Sequence, residues 1–128
     1  MNVYGPINSG VAAGGAGVAT NNANSTHVIT GRVVGIYLRY NDAPPAATTD
    51  VIIKTLGTDP SIPTYTLLTR TDSATDGLYL VRATPCGVTG VALAALTVLE
   101  PWPVADFVNV LIQQANNGDS VDAWLLIE

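Results

Sequence analysis

From Thr26 onward the apolar residues come in short runs rich in Val, Ile, Leu and Thr, broken by Gly, Pro, Asn and Asp. That texture predicts strands rather than helices. A long strand is expected over 27–40, marked by Val28, Ile29, Val33, Val34, Ile36, Tyr37 and Leu38. Gly31 and Gly35 interrupt it and predict a bulge or a close backbone approach. The segment Asn41-Asp42-Ala43-Pro44-Pro45 ends it, because two prolines cannot serve a central ladder. Residues 50–56 carry apolar side chains on both faces, which predicts a central strand covered on both sides. Strands at 65–70 and 78–82 follow, separated by the turn cluster Asp72-Ser73-Ala74-Thr75-Asp76-Gly77. Residues 91–98 admit a helix or a strand and are read as a strand. Pro101-Trp102-Pro103 is expected to be a rigid loop. Strands at 107–112 and 121–127 are joined by Asn116-Asn117-Gly118-Asp119, whose Asn-Gly centre is a hairpin signal. About seven strands at a spacing of roughly 10–15 residues predict an all-β, antiparallel sandwich that is jelly-roll-like.

The opening of the chain reads differently. Residues 1–31 hold no Asp, Glu, Lys or Arg, and the first charged side chain is Arg32. The run Gly10-Val11-Ala12-Ala13-Gly14-Gly15-Ala16-Gly17 has neither a helical nor a strand period. Residues 1–25 are therefore expected to form an extended Gly/Ala-rich arm ahead of a β-sandwich domain over 26–128. Such an arm gains order only by lying on something else, here neighbouring subunits. Extended at roughly 3.3 Å per residue, it would span about 80 Å. Its deletion is expected to weaken assembly and leave the domain folded.

Composition narrows the class. Charged residues are 12% of the 128 and hydrophobic residues 48%, against about 25% charged in an average soluble chain. A charge-poor surface on so small a protein favours an oligomer that buries part of it. Ten acids against five bases leave a net charge of −5. Lys54 and the scattered Arg32, Arg39, Arg70 and Arg82 make no basic stripe, which argues against nucleic acid. No apolar run is long enough to span a membrane. The first residues lack the basic region of a signal peptide, so synthesis in a cytoplasm is expected.

No candidate chemistry gathers into a catalytic set. Cys86 lies in a Thr-Pro-Cys-Gly turn, far in sequence from His27, and one thiol builds neither a disulfide nor a zinc site. Asp72 and Asp76 lack the alternate oxygens and closing Glu of a calcium loop and read as turn residues. Asp119 and Asp122 flank the last hairpin without the pairing a glycosidase requires. Gly15-Ala16-Gly17 follows no strand, and Asn24-Ser25-Thr26 has no secretory context. His27 reads as an edge or interface side chain. Catalytic, cofactor-binding and metal-ligating residues are accordingly set at none. Trp102, held between prolines, is expected to expose its ring, and Trp124 to sit in the core.

Two stretches carry a resemblance. Residues 31–45, from Gly31-Arg32-Val33-Val34-Gly35-Ile36-Tyr37-Leu38-Arg39-Tyr40 to Pro45, with Thr48-Thr49-Asp50-Val51, resemble small structural proteins of tailed bacteriophages. So do Pro103–Val110 and Gln114–Trp124. Proteins of this make-up are similar to capsid decoration, or cement, proteins. The resemblance implies a homotrimer on the outside of a phage head that bridges major capsid subunits, without catalysis or cofactors. It places the protein in the virion. Such binding gains strength from bridging several sites at once. The expected contact residues are Tyr4, Pro6, Ile7, Val11, Val18, Pro44, Pro45 and Trp102. The alternatives are a head-fibre base or tail component, and a carbohydrate-binding module for host glycans.

Overall fold

A computed structural model of the chain describes residues 1–41, 46–62, 64–73, 75–82 and 101–128. The expected strand at 91–98, the turn holding Cys86, and the contact candidates Pro44 and Pro45 lie outside these residues. The described elements are β1 (Asn2–Asn8), β2 (Ala19–Asn24), β3 (Ile29–Tyr40), β4 (Asp50–Thr55), β5 (Thr66–Arg70), β6 (Gly77–Leu80), β7 (Trp102–Asp106), β8 (Val108–Ala115) and β9 (Val121–Ile127). They build an antiparallel β-sandwich. One sheet runs β1-β9-β3-β6, with β7 also paired to β3; the other runs β2-β8-β4-β5.

The ladders are nested. β1 pairs β9, β2 pairs β8, β3 pairs β6 and β4 pairs β5, all antiparallel. The chain therefore behaves as one long doubled ribbon folded over on itself, with the β4–β5 connection at its tip. Ladders β3–β9 and β4–β8 stitch the folded ribbon into two sheets.

Alternation decides which side chains face inward. Val121, Ala123, Leu125 and Ile127 of β9 are buried, as are Val33, Ile36, Leu38 and Tyr40 of β3. Val51 and Ile53 of β4 meet them from the other sheet with Val108, Val110 and Ile112 of β8. Burying one such branched side chain is worth about 1.5–3 kcal/mol relative to exposure. β4 is central, as expected, but only one of its faces is covered: Lys54 is exposed and Ile52 half-buried on the other.

The local signal in β3 holds, but the expected hairpin at Asn116-Asn117-Gly118-Asp119 does not form, because β8 pairs β2 and β4 in one sheet while β9 pairs β1 and β3 in the other. The β3–β9 register shifts between Val33 and Gly35. At Gly31, φ is +139° and a Cβ would come within 2.5 Å of Ile127 Cγ2, so a side chain is excluded there. Gly118, with φ +94°, turns the chain across from β8 in the smaller sheet to β9 in the larger.

The first 25 residues are extended, but their own chain orders them. β1 and β2 are edge strands, one in each sheet. Ile7, Ala12 and Ala19 are buried in the common core. Between the strands, Ala12 N donates to Asp119 O at 2.7 Å and Gly118 N donates to Ala12 O at 2.9 Å. The segment's sparse apolar residues conceal this, because an edge strand needs only a few inward side chains. The Pro101–Pro103 loop is also corrected: Trp102 and Pro103 begin β7, whose edge position tolerates a proline.

Candidate interaction surface

Trp124 belongs to the outer face of the larger sheet, contrary to the expectation that it sits in the core. It alternates with the buried Ala123 and Leu125 and is half-exposed. The register assembles its neighbours. One row across the sheet reads Val3, Leu126, Gly35, Leu80. The next reads Trp124, Tyr37, Leu78. Val3 and Leu80 are each 65% exposed, Leu78 52% and Tyr37 38%. Outer faces of sandwich sheets are ordinarily polar, so these two rows form an apolar patch without a partner among the described residues.

A polar row borders the patch. Asn8 Nδ2 donates to Asp122 Oδ1 at 2.7 Å, and Arg39 Nη2 lies 3.8 Å from Asp122 Oδ2. The Arg39 guanidinium carbon is 5.5 Å from the Trp124 ring centroid, in cation–π range. The Trp124 and Tyr37 rings lie 5.7 Å apart, tilted by 53°. The row carries one cation and one anion, so the patch has no net charge of its own. The outer face of the smaller sheet differs: Asn109 Nδ2 bridges Asn22 Oδ1 and Asn24 Oδ1 at 3.0 and 2.8 Å, and Lys54 and Thr69 are exposed.

The edges of the larger sheet are guarded while its face is open. The β1 ladder is broken between Tyr4 and Ile7, where Pro6 sits. On the opposite edge, β6 has four residues and β7 carries Pro103. Short strands, bulges and prolines hinder the addition of another strand. Edge-to-edge strand addition to this sheet is therefore hindered.

A second feature lies on the side of the sandwich, between edge strands β1 and β2. It is an open cleft of about 520 Å³ lined by Val3–Asn8 and Asn24–His27. Tyr4 Oη and Thr26 Oγ1 are hydrogen-bonded across it at 3.2 Å.

The expected contact residues that are described separate into four groups. Tyr4 and Pro6 line the cleft, while Ile7 is consumed by the chain's own core. Val11 and Val18 are 61% and 69% exposed on the β1–β2 connection. Trp102 does not present a free ring: it stacks on Tyr65 with centroids 4.7 Å apart and planes 19° apart, and the Tyr65 hydroxyl donates to Pro103 O. The residues that sequence reasoning missed are Tyr37, Leu78, Leu80, Trp124 and Leu126. Their signal was the apolar residue at outward positions of β6 and β9, which alternation alone cannot assign to a face.

The carboxylates act within the fold. Asp76 Oδ1 accepts from Tyr40 N at 2.8 Å and Asp119 Oδ2 from Asn116 N at 2.9 Å. Asp106 accepts from Thr58 Oγ1 at 2.6 Å and Phe107 N at 2.7 Å, and also from Gly57 N. Burial opposes its charge, but these hydrogen bonds outweigh burial and hold its pKa below the ordinary value. His27 is exposed at the cleft rim. Among the described residues, no group of three or more His, Cys, Asp or Glu is placed to hold a metal ion.

Compared with known proteins, the chain matches no family model, no curated protein and no solved structure.

Proposed function

We propose that this chain is a virion structural protein: a decoration protein that binds the outside of a tailed-phage head and stabilises the shell by bridging its subunits. The observation that carries the reading is the open apolar face of the larger sheet. Among the described residues Val3, Tyr37, Leu78, Leu80, Trp124 and Leu126 are left unpartnered, and a small protein gains by covering them. The phage-like stretches run through β3 and through β7 to β9, and they include Tyr37, Arg39, Asp122 and Trp124. Of the six residues of the open face, Tyr37 and Trp124 fall within these stretches, and Arg39 and Asp122 border that face.

The topology supports the same class. With β7 set aside, the sheet orders 1-9-3-6 and 2-8-4-5 support reading the sandwich as a jelly roll. That architecture serves capsid and lectin domains alike. Fold alone does not fix function; the apolar face favours assembly. The proposed unit is a homotrimer, which sets three copies of the face about one axis and multiplies modest contacts. Catalysis and cofactors have no part in the mechanism.

The test is co-sedimentation of the purified chain with heads of the encoding phage that lack it, together with its native mass. Saturable binding by a trimer supports the reading. A chain that stays in the supernatant at every concentration overturns it.

A further inference from the structure

The cleft between β1 and β2 has a chemistry distinct from that of the open sheet face. It is about 520 Å³, and none of its described lining residues is Asp, Glu, Lys or Arg. An anionic ligand would find no guanidinium or ammonium group there, and a cation no carboxylate. Among the described residues, the one carboxylate that a lining side chain touches, Asp122 through Asn8, is already paired with Arg39.

The lining is nevertheless polar. Thr26 and Tyr4 share a single hydroxyl–hydroxyl bond, which leaves each with further capacity. Asn24 spends its carbonyl oxygen on Asn109, and its Nδ2 donates to no other described group. Neither imidazole nitrogen of His27 bonds a described group. A purely apolar ligand would strip water from these donors and acceptors and return nothing. Pro6 and the Tyr4 ring add apolar surface beside them. A ligand that matches must be neutral, rich in hydroxyl groups that both donate and accept, and must carry a C–H face.

From this we infer that the β1–β2 cleft binds a neutral saccharide. Its volume falls within the range of small-ligand sites, roughly 300–1,000 Å³, and accommodates one or two sugar rings. Tyr4 and Pro6 pack against the ring while Thr26, His27 and the Asn24 amide bond its hydroxyls. The inference does not rest on the capsid reading: the site lies on the side of the sandwich, shares Val3 alone with the open face, and uses none of Tyr37, Leu78, Leu80, Trp124 or Leu126.

The test is an amide-resolved NMR titration of the full chain. The probes are glucose, galactose, N-acetylglucosamine and lactose, with N-acetylneuraminic acid and glucosamine as charged comparators. At least one neutral sugar is expected to shift the amides of Tyr4, Thr26 and His27 at millimolar concentration, and the charged comparators to shift them less. Thr26→Val removes a hydroxyl and should weaken binding roughly three- to tenfold, the effect of one lost hydrogen bond. Tyr4→Phe keeps the ring and should weaken binding less than Tyr4→Ala. Amides that stay in place with every neutral sugar overturn the inference. So do charged comparators that bind as well as neutral ones, or shifts confined to the Trp124 face. Head binding of the Thr26→Val variant is read separately, so failure of one proposal does not carry over to the other.

Discussion

Trp124 and Tyr37 are cross-strand partners on the solvent side of the larger sheet, with ring centroids 5.7 Å apart and Arg39 set against the indole. Because both rings are already held by their neighbours, a partner that covers them loses little additional side-chain freedom. Preorganised aromatics of this kind dominate interface energetics.

Trp124→Ala and Leu80→Asp should therefore weaken head binding about tenfold or more each, as interface anchors do. Leu80 is 65% exposed, so its substitution should leave far-UV circular dichroism and the melting temperature nearly unchanged. Binding that survives both changes would remove the face from the mechanism.

Deletion of residues 1–25 should do more than detach an arm. It removes β1 and β2, uncovers the flanks of β9 and β8, and takes Ile7, Ala12 and Ala19 out of the core. The shortened chain should aggregate or lose its cooperative melt, since unpaired strand edges invite association. A soluble truncated chain with a full β-sheet spectrum would count against the placement of these strands.

Tyr40 couples the fold to alkaline pH. Its buried hydroxyl donates to Ser73 O at 3.1 Å. Burial first, then the neighbouring Tyr79 and Asp76, push its pKa up to about 12, against the opposing pull of Arg70. The folded pKa is raised, so its contribution is complete below the unfolded value of about 10 and is lost as pH rises through the folded value. Phenolate absorbance should show a late step near that pH in the native protein. Tyr40→Phe should abolish the late step; a step that persists assigns it to another tyrosine.

Asp106 works in the opposite direction. Its folded pKa is lowered, so its stabilisation is present above the unfolded value of about 3.9 and is lost as pH falls through the folded value. Asp106→Asn should lower the melting temperature at pH 7 and flatten the acid side of the stability profile. The cost expected is about 1–3 kcal/mol, from imperfectly matched buried donors at Gly57, Thr58 and Phe107. A variant as stable as the parent at pH 7 would show that this carboxylate is dispensable.

Leu125→Ala should cost about 2–5 kcal/mol, because the side chain is fully buried between the sheets. Chemical denaturation reads it directly. A change below about 1 kcal/mol would indicate a site that collapses around the loss.

Strand positions were legible wherever the apolar residues are dense. β3, β4, β5, β6, β8 and β9 follow their apolar runs, and Asn117-Gly118 marks a turn, though one that carries the chain from β8 in one sheet to β9 in the other rather than closing a hairpin. β1 and β2 were not legible. Asn2-Val3-Tyr4-Gly5-Pro6-Ile7-Asn8 and Ala19-Thr20-Asn21-Asn22-Ala23-Asn24 carry few inward apolar residues, and their pairing comes from β9 and β8, more than 80 residues away. The cleft was hidden for the same reason, since it exists only where those two edges approach.

By itself the sequence determined an all-β chain, the places where it turns, and a shortage of charge that points toward assembly. Those properties reside in local periodicity, turn chemistry and composition, which act over a few residues. Which face each strand turns outward was decided only by the tertiary structure. Trp124 and Leu125 are equally apolar neighbours, and a strand's alternation separates them without saying which one is buried. The register with β3 and the packing of the second sheet put Leu125 inside and left Trp124 beside Tyr37 on the open face.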